Sequence, residues 1–443
     1  MAVTGQERTR PKPPSAGKRA PNWRRPVWLD ATGEWVRDRV RLLESPLATH
    51  HVLLGTTAML VVIGLVMVLS SSSVESLTEK GTPYYYFRNQ ATFAVLGAVV
   101  LMIASRVPAR LWQRLALPAL FASAFLQLLV FVPGLGKSVG GNRNWIHVGS
   151  FTAQPSEAAK VALVLALALA LSRRREQLGE PGKLVGAMLL PVGLTVGIVL
   201  LTKDLGTALI MMVIVAVMLW VAGVPAKWFA LAGAGGALLA TLLVVTSENR
   251  VGRVKDWLVG TADTQGLSWQ PVQGKYALAS GGWWGLGLGA SREKWSWLPE
   301  AHNDFIFAII GEELGLPGTL TILALFGVLA LVTLRLVRRS GNFYAKLAVA
   351  GFAAWILGQA TLNVAVVLSL LPVIGVPLPF ISAGGSALVL TLLGMGILLS
   401  FARAEPGAPE AIRTRESVVA RSLAVLPRRT PTQRTRTRTT KGS

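Results

Sequence analysis

Apolar residues along this chain gather into ten runs, at roughly 52–71, 88–105, 115–133, 156–172, 184–202, 205–223, 228–247, 305–335, 347–371 and 386–403. All but the run at 305–335 are close to the ~20 residues that a helix needs to cross a bilayer. The pattern predicts an all-α integral membrane protein of about ten transmembrane helices. Residues 305–334 exceed what one span requires, so that helix is expected to protrude, tilt or break near Leu316-Pro317-Gly318. The basic lead before residue 52 is too long for a cleavable signal peptide and has no separate apolar core, so the first span is expected to serve as its own insertion signal.

Three polar connections differ from the short ones. Pro133 to Lys160 reads PGLGKSVGGNRNWIHVGSFTAQPSEAAK, the long loop 248–304 joins spans 7 and 8, and Leu371 to Ser386 reads LPVIGVPLPFISAGGS. With alternating spans all three fall on one side of the membrane. Long connections in a compact protein are either unstructured or functional, and the Trp, Gly and Pro here suit ordered turns, so a shared outer site is expected. Inside the long loop, Gln273 to Ser291 reads QGKYALASGGWWGLGLGAS. Its glycines have the look of a dinucleotide fingerprint, but no strand precedes them and no parallel βαβ unit surrounds them. A re-entrant or interfacial segment, with Trp283 and Trp284 at headgroup depth, fits better.

Composition agrees: 52% of the 443 residues are hydrophobic and 15% are charged. The absence of cysteine excludes disulfides, thiolate metal sites and cysteine nucleophiles. The four histidines, His50, His51, His147 and His302, lack metal-binding spacing, so no protein-built metal site is expected. The net charge of +22 is concentrated at the ends, where residues 1–51 and 403–443 supply twelve of the 22. That distribution fits anionic membrane lipids, not nucleic acid. Both tails, 1–51 and 404–443, are expected to be basic, largely disordered and cytoplasmic, flanking a membrane domain at 52–403. Connections on the N-terminal side carry twelve Lys/Arg against five in the short connections opposite, which puts both termini inside.

The candidate chemistry centres on LPEAHNDFIFAIIGEELG, Leu298 to Gly315. Glu300, His302 and Asp304 stand directly ahead of an apolar helix start, and Glu312 and Glu313 lie between two glycines. An ionisable group at the edge of a span is costly unless it is solvated, paired or used. Glu312 and Glu313 suit a second acidic site, but the favoured expectation is that one of them contacts a neighbouring helix or caps the Gly311–Gly315 interruption. Glu157 and Lys160, spaced i, i+3 at the start of the fourth span, share a face and can pair.

This stretch, the ALASGGWWGLGLG run, GNRNWIHVG with QPSEAAK, and PLPFISAGGS together resemble the shape, elongation, division and sporulation (SEDS) family and, within it, the FtsW-type division members. The resemblance covers about residues 50–403. It implies a peptidoglycan glycosyltransferase that polymerises lipid II on the outer face of the cytoplasmic membrane at the division septum. Implied partners are a class B penicillin-binding protein, an FtsI-like transpeptidase that cross-links the new strand, and other divisome membrane proteins. The acidic residue of the family's HxDF motif, regarded as catalytic, falls on Asp304. The Glu and Lys of its PSExxK pattern fall on Glu157 and Lys160, and the basic residue before Trp-Ile falls on Arg143 or its neighbour. Trp145, Asp204, Lys275, Ser280, Gly281, Lys294, Glu300, His302, Ser382, Gly384, Gly385 and Ser386 join the expected substrate contacts. The chain departs from the pattern at Lys203, where Pro commonly precedes the Asp, at Ala383, where Tyr is usual, and at Val367 to Leu371, which lacks the usual Gly.

Polymerisation requires a sugar 4-hydroxyl to attack the anomeric carbon of a second lipid-linked sugar, expelling undecaprenyl pyrophosphate. A positioned carboxylate that takes the hydroxyl proton typically contributes ~10²- to 10⁴-fold. Asp304 is the candidate base; as a residue it equally suits a helix N-cap, and the resemblance favours the base. The leaving pyrophosphate needs cations or a metal, so a divalent cation such as Mg2+ is compatible, with no other cofactor implied. Arg143, Lys160, Lys203, Lys275, Arg292 and Lys294 are the outer-side candidates; for the lysines other than Lys160 a headgroup contact is the competing reading. Lys160 either meets phosphate, oriented by Glu157, or only cancels its charge. Small residues such as Gly233, Gly235 and Gly236 are expected to permit close helix approach. The competing functions are a flippase for the same lipid, a scaffold for division partners, and an elongation-type (RodA-like) polymerase.

Overall fold

The computed structural model describes residues 48–408 except 140–141, 150, 246–250, 253–254, 256, 259–268 and 296. The two basic tails therefore lie almost wholly outside the described residues. Eleven helices are used here: α1 Ala48–Lys80, α2 Tyr85–Arg106, α3 Ala109–Leu128, α4 Pro155–Arg173, α5 Pro181–Leu201, α6 Leu205–Ala222, α7 Ala226–Val245, α8 Trp269–Gly281, α9 Ile306–Arg339, α10 Phe343–Val367 and α11 Gly385–Arg403. Nine of them are, among the described residues, long and apolar enough to cross a membrane. The seventh expected span is helical as α7, with half of its 20 side chains outside the described residues. α8 is a short additional helix in the long loop, packed on α9.

The surface is apolar where a bilayer would touch it. Leu189, Leu201, Trp220 and Leu331 are each at least 68% exposed. The centre is α4, packed among α3, α6, α10 and α11. Its run Ala162–Leu171 alternates Ala with larger apolar side chains and is almost entirely buried. Small residues let helix backbones approach where lipid gives no hydrophobic drive for association. At α7 the described residues do not show it: Gly233 and Gly235 are exposed, and among the described residues nothing stands within 4 Å of a Cβ at either, while the surroundings of Gly236 lie outside the described residues.

Two departures from simple spans shape the site side. Between α3 and α4, where turns were expected, the chain forms a three-stranded antiparallel sheet: β1 Gly136–Val139, β2 Asn142–Val148 and β3 Phe151–Ala153. Lys137 pairs with Trp145, and Ser138 with Arg143 after a register shift. In α9 the break falls on Gly315 (φ 65°, ψ −158°), a conformation open essentially to glycine alone, with Pro317 just beyond it.

Candidate active site

Asp304 is half-buried in the turn that leads into α9. The capping position of α9 falls on Phe305 (φ −106°, ψ 15°), one residue later than the capping alternative required. The turn is gripped through its carbonyls from two sides. From α10, Asn363 Nδ2 donates to Asp304 O and to Val376 O, each at 2.7 Å. From the 371–384 segment, Ser382 Oγ donates to Asn303 O and accepts from Leu378 N, both at 2.7 Å. Ala383 N donates to His302 O at 2.9 Å. Gln90 of α2 secures the same segment, donating to Ser382 O (3.0 Å) and accepting from Gly384 N (3.1 Å). Gly375 is left-handed (φ 75°), and a Cβ there would stand 3.6 Å from Asp304 Oδ2. That distance is an ordinary contact, so it is the left-handed turn beside the carboxylate that favours glycine.

His302 is only 5% exposed. Its Nδ1 stands 3.0 Å from Glu75 Oε2 of α1, and its ring lies 4.8 Å from that of Tyr86 of α2. Glu300, exposed and in a left-handed turn (φ 57°), accepts from Asn303 Nδ2. The acidic motif is therefore tied to α1, α2, α10 and the segment ahead of α11 at once.

Glu157 and Lys160 form a buried ion pair at 2.7 Å, 3% and 1% exposed. Lys160 Nζ also donates to Gln359 Oε1 (3.0 Å) and stands 4.8 Å from the Trp355 ring. Gln359 Nε2 donates to Pro377 O (2.9 Å). In the structure the Lys160 ammonium faces Glu157 and Gln359, and its link to the Asp304 side runs through α10 and Pro377.

Other expected contacts fall in separate clusters. Asp204 is the N-cap of α6, accepting from Thr207 N (3.0 Å), Thr207 Oγ1 (2.8 Å), Asn144 Nδ2 (2.7 Å) and Gln154 Nε2 (3.1 Å). Ser386 Oγ accepts from Gln154 N (3.4 Å), so this cluster joins β2 and the starts of α4, α6 and α11. Arg143 is exposed, with Nη2 3.5 Å from Val132 O; Trp145, on the same strand, is partly buried. Gly385 packs under the Phe93 ring. On α8, Lys275 and Ser280 are exposed, while a Cβ on Gly281 would stand 1.9 Å from Gly311 O, so only glycine fits that crossing.

Of the two, Glu313 contacts a neighbouring helix, since Ser70 of α1 donates to it at 2.6 Å. They also hold the loop: Ser291 Oγ (2.6 Å) and Arg292 N (2.9 Å) donate to Glu312, and Lys294 pairs with Glu313 at 3.5 Å. Lys294 is thus in an internal ion pair. Burial first, and then Glu312, push the Glu293 carboxyl above its ordinary value. Among the described residues no three His, Asp or Glu side chains gather closely enough to cage a metal ion.

Sequence reasoning missed Asn363, Gln359, Gln90, Glu75 and Ser70. The available signal was polarity inside apolar runs, above all Gln359 and Asn363 four residues apart on one face of α10.

Comparison with known proteins gives this architecture a family. The FtsW/RodA/SpoVE family, described as "Cell cycle protein", matches residues 50–406. A probable peptidoglycan glycosyltransferase FtsW of Mycobacterium tuberculosis is 36% identical over 385 residues, covering 87% of this chain and 74% of the relative. Its counterpart in Trichlorobacter lovleyi is 35% identical, covering 85% and 98%. Stage V sporulation protein E of Bacillus subtilis is 35% identical, covering 78% and 95%. Among solved structures, a chain from a peptidoglycan synthase complex that coordinates polymerization and crosslinking matches with TM-score 0.66 at 28% identity, covering 80% of this chain and 97% of that one. The rod shape determining protein RodA of Thermus thermophilus matches with TM-score 0.58 at 28% identity, covering 80% and 96%. With the family match running from the first span to the end of the last, this multi-pass membrane chain belongs to the FtsW/RodA/SpoVE family.

Proposed function

We propose that this protein is a peptidoglycan glycosyltransferase that polymerises lipid II into glycan strands, with Asp304 as general base. The observation that carries the reading is the grip on the Asp304 turn. Three successive carbonyls, of His302, Asn303 and Asp304, are each held by a donor from another element, which fixes the backbone that aims the carboxylate. Preorganised placement of this kind is what a base needs in order to meet a hydroxyl in line. As the acceptor 4-hydroxyl attacks, its oxygen bonds to the anomeric carbon, the bond from that carbon to the pyrophosphate oxygen breaks, and the hydroxyl proton passes to Asp304.

The Glu157–Lys160–Gln359 chain supports the same site indirectly, by holding Pro377 and with it the segment beside Asp304. A class B penicillin-binding protein is the proposed partner; the match to a synthase complex supports it. The septal role, in preference to elongation, is supported by relatives named FtsW at 35–36% identity. The site faces the outside of the cytoplasmic membrane and both tails are cytoplasmic, as the loop charges argue. Purified protein with its partner, given lipid II, tests the chemistry: glycan is expected from the wild type and not from Asp304→Asn. Equal product from both would refute Asp304 as the base.

A further inference from the structure

The broken helix α9 and the glycine-rich loop complete each other. At Gly315 the helical bonds are interrupted, and the carbonyls of Glu312 and Glu313 accept instead from Leu286 N and Gly287 N, both at 2.9 Å. Leu316 N donates to Gly282 O at 3.2 Å. A Cβ on Gly315 would stand 2.4 Å from Gly285 N, so the two backbones touch. Further along, the Glu312 and Glu313 side chains hold Ser291, Arg292 N and Lys294. The loop is thus pinned on both sides of a short projecting stretch.

That stretch carries two adjacent indoles that the described residues leave uncovered: Trp283 is 74% exposed and Trp284 is 86% exposed, with Leu288 at 61% beyond them. Large apolar side chains held out rigidly mark a contact surface. Their depth can be measured along α9. From Arg338 and Arg339, which close the helix at the opposite membrane face, back to Leu316 is about 22 residues, or ~33 Å at ~1.5 Å each, against ~30 Å of hydrocarbon. The break therefore sits where the hydrocarbon ends, and the carbonyl of Trp283 lies 2.8 Å from the Cβ position of Gly315. Tryptophan is favoured at that depth because its ring is apolar and its N–H seeks the headgroups.

We infer that Trp283 and Trp284 insert into the headgroup layer on the Asp304 side of the membrane, anchoring the loop to lipid and fixing the height of the Asp304 turn above the hydrocarbon. The occupant of the surface is the lipid interface that already surrounds the spans, because the pair continues that apolar surface at its edge. The anchor does not depend on Asp304 being a base.

The absence of cysteine makes the test direct. Full-length protein carrying Trp284→Cys, or separately Trp283→Cys, is spin-labelled in phosphatidylglycerol/phosphatidylethanolamine nanodiscs, and collisions with oxygen and with a water-soluble nickel chelate are compared. Leu331→Cys, 69% exposed along the span, and Lys137→Cys, exposed on β1, give the hydrocarbon and water references. Labels at 283 and 284 are expected between the two, within ~5–10 Å of the headgroup–acyl boundary, with nickel accessibility several-fold below that at 137. Nickel accessibility equal to that at 137 would overturn the anchor. Shielding from both reagents would overturn it too, since protein would then be the occupant.

Discussion

Asn363→Leu removes a donor while keeping the shape of the side chain. In the wild type one amide nitrogen serves Asp304 O and Val376 O, each at 2.7 Å, from a residue only 1% exposed. Leucine leaves both carbonyls without that donor. An orphaned buried acceptor costs ~1–3 kcal/mol; with Val376 O buried and Asp304 O partly buried, the loss comes to ~2 kcal/mol. At ~1.4 kcal/mol per tenfold, the aligned arrangement loses ~30-fold in population if the turn relaxes. The expected result is a polymerisation rate from lipid II lowered by ~30-fold, or a lowered melting temperature if the turn stays put and the whole fold bears the cost. Initial rates of glycan formation and thermal melts of the same preparation separate the two. Thr361→Val is the control, because Thr361 is exposed and, among the described residues, its hydroxyl bonds to Leu357 O of its own helix. An Asn363→Leu protein with wild-type rate and wild-type melting temperature would refute the grip as the device that positions Asp304.

Lys160→Met strands Glu157 in the interior and is expected to cost ~3–5 kcal/mol, with the double variant Glu157→Gln/Lys160→Met recovering part of the loss in thermal melts. An unchanged polymerase rate in a correctly inserted Lys160→Met protein would remove any direct role of the ammonium at phosphate. Gly315→Ala forces a side chain into φ 65° and against Gly285 N, so ~1–3 kcal/mol of strain is expected, together with faster proteolysis between residues 282 and 290. Glu293 titrates above its ordinary value of 4.5, so the folded state binds this proton more tightly than the unfolded one. Its contribution to stability is present at low pH and lost as pH rises through the shifted value, so Glu293→Gln should melt like wild type below about pH 4.5 and higher than wild type at neutral pH.

The sequence by itself determined the class of fold, most of the spans and the acidic motif, because those rest on local facts. A helix of some twenty apolar residues satisfies its own backbone in lipid wherever it lies in the protein, so hydropathy alone reveals it. Asp304 stood out for the related reason that a carboxylate beside such a run demands an explanation. Gly315 was nearly legible: a break was expected one to three residues later, at Leu316-Pro317-Gly318, where proline signals it, whereas the chain turns at the preceding glycine because only that residue accepts the required φ and ψ.

Which groups meet was decided only by the tertiary structure. Asn363 reaches Asp304 across 59 positions and Ser70 reaches Glu313 across 243, and nothing in the local pattern encodes those pairings. The small sheet at 136–153 was hidden because its strands are short and draw order from pairing with one another, not from periodicity. Lys160, Lys294 and Asp204 read equally well as contacts for a substrate or as internal partners. Only the enclosed geometry shows the two lysines in ion pairs and the aspartate capping a helix, since a buried charge persists where other parts of the chain arrive to pair or bond with it.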